Sequence, residues 1–271
     1  MDRRAIGVFD SGLGGLTAAK VLEDTLPCEN LIYFGDTANM PYGPRSREEL
    51  VELATWNARF LLQSDVKAIL VACGTVSSNA MAELRERFDV PFFGVIDSAC
   101  LAAAEATESG RVGVIATEAC LRSGAYRRTL ESLGRGLRVF DAACPSFVPL
   151  VESGHTDPRE SIVRTAVEEE LRALRKAGVD TLILGCTHYP LLKEVLQQIM
   201  GPDVSLIDPG AEAAHAAREA LFAAGLESGR EEGGTAHYYV SDDPEGFSHS
   251  ARLFLGDYAG GTVEQVRIAT F

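Results

Sequence analysis

Residues 68–73 read Ala68-Ile69-Leu70-Val71-Ala72-Cys73, and 113 positions later Thr181-Leu182-Ile183-Leu184-Gly185-Cys186 repeats the pattern. Each run is short and apolar and ends on a cysteine, with Thr75 or Thr187 within two residues. Short unbroken apolar runs suit strands buried on both faces of a parallel sheet. The echo extends outward. Ile6-Gly7-Val8-Phe9 matches Val112-Gly113-Val114-Ile115, and Leu31-Ile32-Tyr33-Phe34 matches Leu137-Arg138-Val139-Phe140, both offset by 106. Strands are expected at Ala5–Phe9, Leu31–Phe34, Ala68–Ala72, Pro91–Val95, Arg111–Ile115, Leu137–Phe140, Thr181–Leu184, Val204–Ile207 and His237–Val240. Between them lie stretches of helical period with start signals. Ser46-Arg47-Glu48-Glu49 reads as a capping box, and Asp157-Pro158 and Asp243-Pro244 each set an N-cap Asp before Pro. The class is α/β: two similar domains with open parallel sheets flanked by helices, related by a pseudo-twofold, with the site in the cleft between them.

The chain has 271 residues with 25 Lys+Arg against 39 Asp+Glu, a net charge of −14. So acidic a protein repels phosphate at a distance, which argues against nucleic acid or an anionic membrane as a direct partner. No apolar run approaches the ~20 residues of a membrane span, and the start of the chain shows no signal-peptide pattern, so the expected compartment is the cytoplasm. Six cysteines occur without a Cys-x-x-Cys pair, and no His-x-x-x-His pair is present, so no metal site is expected. Cys28, Cys100 and Cys144 read as small core residues. The Gly/Glu-rich stretch 225–236 reads as a loop without chemistry.

In open parallel sheets, ligands bind outside the carboxyl ends of the strands. Asp10, Asp36, Cys73 and Cys186 stand at or just past such ends. Asp36 alone reads as an ordinary polar loop residue. A helix starting just after each cysteine would lower its thiol pKa. Two thiols delivered from equivalent places suit a reaction that removes a proton from one face of a carbon and returns one to the other. His188 could exchange a proton with Cys186, or serve a backbone carbonyl. Asp10 could assist from the other side, or cap the helix starting near Gly14. The glycine-rich Asp10–Gly15 stretch is neither a dinucleotide fingerprint nor a P-loop.

Asp10-Ser11-Gly12-x-Gly14-Gly15-Leu16-Thr17, Tyr33-Phe34-Gly35-Asp36-Thr37-Ala38 and Pro41-Tyr42-Gly43 resemble the N-terminal signature of the glutamate racemase family, within the aspartate/glutamate racemase group. Ala72-Cys73-x-Thr75 and Gly185-Cys186-Thr187-His188-Tyr189-Pro190-Leu191-Leu192 resemble its two cysteine motifs, and Ser123–Tyr126 and Ile207–Gly210 also fit. The resemblance implies cofactor-independent interconversion of L- and D-glutamate, supplying D-glutamate for peptidoglycan, in a homodimer. It implies that Cys73 acts on the D-enantiomer and Cys186 on the L-enantiomer, with Asp10, His188 and Glu152 supporting proton transfer. Substrate contacts would fall on Asp10, Ser11, Tyr42, Gly43, Gly74, Thr75, Thr117, Thr187 and His188. Family architecture would place one domain at 1–96 plus 210–271 and the other at 97–209, with a hinge near Pro209-Gly210.

Two positions depart from the family pattern. Gly74 stands where the family usually has Asn, so an amide contact must be lost or replaced by water, Ser77, Ser78 or Asn79. Cys120 stands where Thr is common, removing a hydroxyl expected near the substrate carboxylate. The rival readings are a racemase for another acidic amino acid such as aspartate, and a non-catalytic binding protein with the same cleft. No Lys or Arg lies in the matched motifs, so local positive potential must come from N–H groups and helix dipoles.

Overall fold

The computed structural model describes residues 1–231, 233–255 and 263–266. Strands β1 (Ile6–Asp10), β2 (Leu31–Gly35), β3 (Ala68–Val71) and β4 (Phe92–Gly94) alternate with helices, as do β5 (Arg111–Ala116), β6 (Arg138–Ala143), β7 (Thr181–Leu184) and β8 (Ser205–Ile207). Strands β9 (Ala236–Val240) and β10 (Val263–Gln265) follow. One sheet runs β10-β9-β2-β1-β3-β4 and the other β6-β5-β7-β8, with every pairing parallel. The order β2-β1-β3-β4 is therefore repeated as β6-β5-β7-β8, and the sequence echo is a structural one. Every residue of β1, β3 and β7 is buried, which is why these strands read as unbroken apolar runs.

Register shows how closely the halves correspond. Gly7 pairs with Ile69, and Gly113 pairs with Leu182, as the two sequence offsets require. Gly7 also pairs with Ile32, whereas Gly113 pairs with Phe140 rather than Arg138. The echo is thus two residues out of register on β6. A two-residue slide keeps every side chain on its face, and β6 is a half-exposed edge strand whose register burial fixes only weakly. Strand β10 had no sequence signal, because its three residues Val-Glu-Gln at the sheet edge form no apolar run.

Local signals mostly hold. Ser46 Oγ accepts from Glu49 N at 3.2 Å while Glu49 Oε2 accepts from Ser46 N at 2.8 Å, a complete capping box. Asp243 Oδ1 accepts from Gly246 N at 2.9 Å at the start of helix Pro244–Leu255. Asp157 does not cap a helix, contrary to expectation. Its carboxylate is taken by Arg159, through the main-chain N–H at 2.8 Å and the guanidinium, and the helix begins only at Ser161.

Helix Val95–Ala106, which follows β4, packs on helix Pro209–Ala223, which follows β8, and the latter also packs on helix Leu16–Thr25. One hydrophobic core consequently runs through both sheets, taking in Val8, Leu70, Val114 and Leu182. The domain limits expected at 96/97 and 209/210 fall in the first turns of two of these helices rather than in loops. Asp208 caps the second, its Oδ1 accepting from Gly210 N at 2.9 Å. Residues 256–262 and 267–271, included in the expected first domain, lie outside the described residues. No described helix is long and apolar enough to cross a membrane.

Candidate active site

The carboxyl ends of β1, β3, β5 and β7 converge on a cavity of about 450 Å³. Both Cys73 and Cys186 line it, together with Ser11, Tyr42, Gly43, Gly74, Thr75, Thr117, Glu152, Thr187 and His188. Every residue expected to be catalytic or to contact substrate is in that wall except Asp10, which has no exposed surface. Residues without a sequence signal complete the wall, among them Met40, Pro44, Glu118, Pro145, Val148 and Pro149.

Cys73 is the N-cap of the short helix Gly74–Asn79, and its Sγ lies 3.7 Å from Ser11 Oγ. Burial pushes its thiol up to about 12 and the negative charge of Asp10 adds to this, outweighing the Val76 N–H and the Ser11 hydroxyl, which pull the other way. The helix start is therefore present, but the lowered pKa anticipated from it is not. Cys186 is half-buried and begins no α-helix. Its N–H donates to Leu184 O at 2.8 Å, and only a single 3₁₀ turn, Tyr189–Leu192, follows before helix Lys193–Met200.

His188 links Cys186 to Glu152. Its Nδ1 is 3.8 Å from Cys186 Sγ and its Nε2 is 3.1 Å from Glu152 Oε1. Burial disfavours its charge, yet the Cys186 and Glu152 hydrogen bonds prevail and raise its pKa to about 10. The imidazole also packs edge-on against Phe254, at 5.5 Å between ring centres, a contact brought from the C-terminal helix that sequence could not anticipate. Among the described residues lining the cavity, His188 is the one that can carry positive charge. It thus supplies the local potential that the cysteine motifs, lacking Lys and Arg, had left to N–H groups and dipoles.

Asp10 ends β1. Its Oδ2 accepts from Gly12 N at 3.0 Å, its Oδ1 is buried without a partner, and it does not cap helix Leu16–Thr25, whose N-cap is Gly15. Burial raises its pKa against the opposing pull of His188 and of the N–H groups of Gly12, Gly15 and Ser11. Asp36 is more than a polar loop residue. Fully buried, it accepts from Asn39 Nδ2 at 3.0 Å, Tyr42 OH at 2.5 Å and Ser241 Oγ at 2.8 Å, and so anchors the loop bearing Tyr42 and Gly43. The Tyr42 hydroxyl is committed to Asp36 and Asn57, which leaves its ring and main chain for the cavity.

Thr75 Oγ1 and Thr117 Oγ1 meet at 3.0 Å, joining the Cys73 helix to the loop after β5. The side chains offered from sequence as replacements for an amide at 74 are engaged elsewhere. Ser77 Oγ donates to Val71 O, Ser78 Oγ donates to Thr75 O, and Asn79 Nδ2 donates to both Thr75 O and Ser78 Oγ. None of the three lines the cavity, so none stands in for a side chain at 74. Cys120 is 1% exposed and does not line the cavity, and its N–H donates to Thr117 Oγ1 at 3.3 Å. Cys28 is half-buried rather than core, whereas Cys100 and Cys144 are buried. No group of three or more His, Cys, Asp or Glu able to hold a metal ion occurs among the described residues.

A parallel α/β sheet repeated within one chain, with a cysteine at equivalent strand ends and both thiols in the wall of one cavity, defines a class of two-domain α/β proteins with a paired-cysteine cleft. The sequence profile of Asp/Glu/hydantoin racemases matches residues 17–217. The chain is 44% identical over 260 residues to a glutamate racemase of Geobacter metallireducens, an alignment covering 96% of each. Its fold matches that of a glutamate racemase of Francisella tularensis solved with D-glutamate, with a TM-score of 0.91 and 36% identity over the whole of both chains. A glutamate racemase isoform of Bacillus anthracis matches with a TM-score of 0.93 and 35% identity over 98% of each. The chain belongs to the Asp/Glu/hydantoin racemase family and is an isomerase of the racemase type.

Proposed function

We propose that the protein interconverts L- and D-glutamate by proton transfer between two thiols, without a cofactor. The observation that carries this reading is the placement of Cys73 and Cys186 in the wall of one cavity, with His188 the one group among its described lining residues that can carry positive charge. From the L-enantiomer, Cys186 takes the α-proton, and Cys73, held as a thiol by its burial, delivers one to the opposite face. The reverse reaction exchanges the roles. His188 shares its proton with Cys186, and Glu152 holds the imidazole in place and charged. Asp10 sits within electrostatic reach of both Cys73 and His188. Hydroxyls of Ser11, Thr75, Thr117 and Thr187 and nearby N–H groups are suited to stabilise the carbanion, a task for preorganised donors when no electron sink is bound. D-Glutamate for peptidoglycan, a cytoplasmic location, a homodimer and a division into units at 1–96 plus 210–271 and 97–209 complete the proposal.

The test is incubation with L-glutamate, and separately L-aspartate, in deuterium oxide, following optical activity and α-deuterium uptake. Racemisation with label in the product is expected for glutamate. Cys73→Ser and Cys186→Ser are each expected to lower kcat by about 10²-fold or more, the range for removing a direct acid–base group. Full activity in both variants would overturn the two-thiol mechanism, and turnover of aspartate alone would move the substrate.

A further inference from the structure

The loop bearing Tyr42 and Gly43 is fastened by a residue 205 positions beyond its anchor Asp36. In the parallel ladder of β9 on β2, Val240 pairs with Gly35, so Ser241 falls beside Asp36 just past both strand ends. Ser241 N donates to Gly35 O at 3.1 Å, and its hydroxyl serves two groups of the loop at once. Ser241 Oγ donates to Asp36 Oδ1 at 2.8 Å and accepts from Ala38 N at 2.8 Å. The other side-chain donors to the buried Asp36 carboxylate are Asn39 Nδ2 and Tyr42 OH, both neutral and both on the loop itself. Of these donors, Ser241 is therefore the one that ties the carboxylate to the sheet. A second strap runs alongside, where Thr37 Oγ1 donates to Asp242 O at 2.6 Å and accepts from Asp242 N at 2.9 Å.

We propose that Ser241 is a positioning residue for substrate binding: by holding Asp36 and the Ala38 N–H together, it fixes the loop that presents Tyr42 and Gly43 to the cavity. The assignment rests on the proposed function and on the substrate contacts expected of Tyr42 and Gly43. Without the hydroxyl, a buried carboxylate oxygen loses its bond to the sheet and a main-chain N–H loses its acceptor, and both are costly to leave unpaired. Relief comes when the loop shifts until both find new partners, which carries the Tyr42 ring and the Gly43 main chain away from their places in the wall. Neither residue moves a proton in the reaction, so the effect falls on substrate affinity rather than on the chemical steps. Threonine at 241 keeps both the donor and the acceptor, whereas alanine has neither.

The experiment compares Ser241→Ala and Ser241→Thr with wild type, recording kcat and KM in both reaction directions, Kd for D-glutamate by calorimetry, and Tm. Ser228→Ala is the control for losing a buried serine hydroxyl elsewhere, since Ser228 Oγ donates to Cys28 O at 2.7 Å and accepts from Arg230 N at 3.3 Å outside the cavity wall. Ser241→Ala is expected to raise KM and Kd by about fivefold to tenfold, the upper range for one hydrogen bond, with kcat within about threefold. Ser241→Thr is expected to restore both constants, while Ser228→Ala changes Tm alone. Wild-type KM and Kd in folded Ser241→Ala, an equal defect in Ser241→Thr, or the same rise in Ser228→Ala would overturn the proposal. Should Ser241→Ala not fold, Thr37→Val, which removes the second strap, is judged by the same criteria. Cys73→Ser and Cys186→Ser in the same assay separate the two levels. If they remain active the two-thiol reading fails while Kd still reports on Ser241, whereas if they are inactive and Ser241→Ala is normal, only the role of Ser241 fails. Failure of the wild type to bind D-glutamate would overturn both.

Discussion

His188 is the residue on which charge in the cavity turns. At 7% exposure an isolated imidazole would be neutral at pH 7, and it is the Glu152 carboxylate and the Cys186 sulfur that bring its pKa to about 10. Glu152→Gln keeps a hydrogen-bond acceptor but removes the charge. We expect kcat to fall on the order of tenfold, below the ~10²–10⁴ of a direct acid–base group, and the alkaline limb of kcat/KM to move to lower pH. An unchanged pH profile would count against the pairing. The same shift makes a stability prediction. The folded state holds a proton on His188 that the unfolded chain releases above its ordinary 6.5, so this contribution is complete below pH 6.5 and lost as pH rises toward 10. Asp10, with its pKa also raised, acts in the same direction at lower pH. Unfolding monitored between pH 6.5 and 10 is expected to show stability falling, with a shallower fall in His188→Gln. The histidine itself was legible in sequence from its place two residues after Cys186. Its packing against Phe254 was not, because that contact joins residues 66 positions apart through a helix with no chemical signature.

At the scale of elements, strands were legible where burial on both faces forces a continuous apolar run, as in β3 and β7, and poorly defined at edges such as β6 and β10. The segment following residue 225, read as an inert loop, closes over a buried ion pair. Lys67, just before β3, donates from Nζ to Glu29, to Asp2 O at 2.9 Å and to Leu226 O at 2.7 Å, while Glu29 Oε1 accepts from Ser228 N at 2.7 Å. With 0% and 4% side-chain exposure, these charges are held by each other and by main-chain groups, with the Asp2 carboxylate within electrostatic reach of Lys67. Four segments distant in sequence are tied there, and no local motif announces such a knot. Lys67→Met would leave the Glu29 carboxylate buried and uncompensated, a loss of about 3–5 kcal/mol. Denaturant unfolding should show it, and Lys67→Met/Glu29→Gln should recover part of it. Because Lys67 adjoins the amino end of β3 and Cys73 follows its carboxyl end, kcat is expected to hold wherever the variant is folded.

For the whole molecule, a net charge of −14 surrounds a cavity whose one cation among the described residues is a buried histidine. Glutamate carries a net negative charge at neutral pH, so the protein's long-range field opposes its approach while His188 attracts it at close quarters. Salt separates these effects. Raising ionic strength from 0.01 to 0.15 M shortens the screening length from about 30 to about 8 Å, which removes most of the distant repulsion but little of the attraction inside a desolvated wall. KM for glutamate is therefore expected to fall by about twofold across that range, an order-of-magnitude figure for weakly screened surface charge, with kcat unchanged. A site dependent on exposed Lys and Arg would respond in the opposite sense, so a KM that rises with salt would mean that cations outside the described cavity wall take part in binding. The repeated sheets fit this economy of charge. In the proposed mechanism two strand ends bring thiols, hydroxyls and N–H groups to one carbon from both sides, and one imidazolium is enough because the remaining stabilisation is dipolar and already in place.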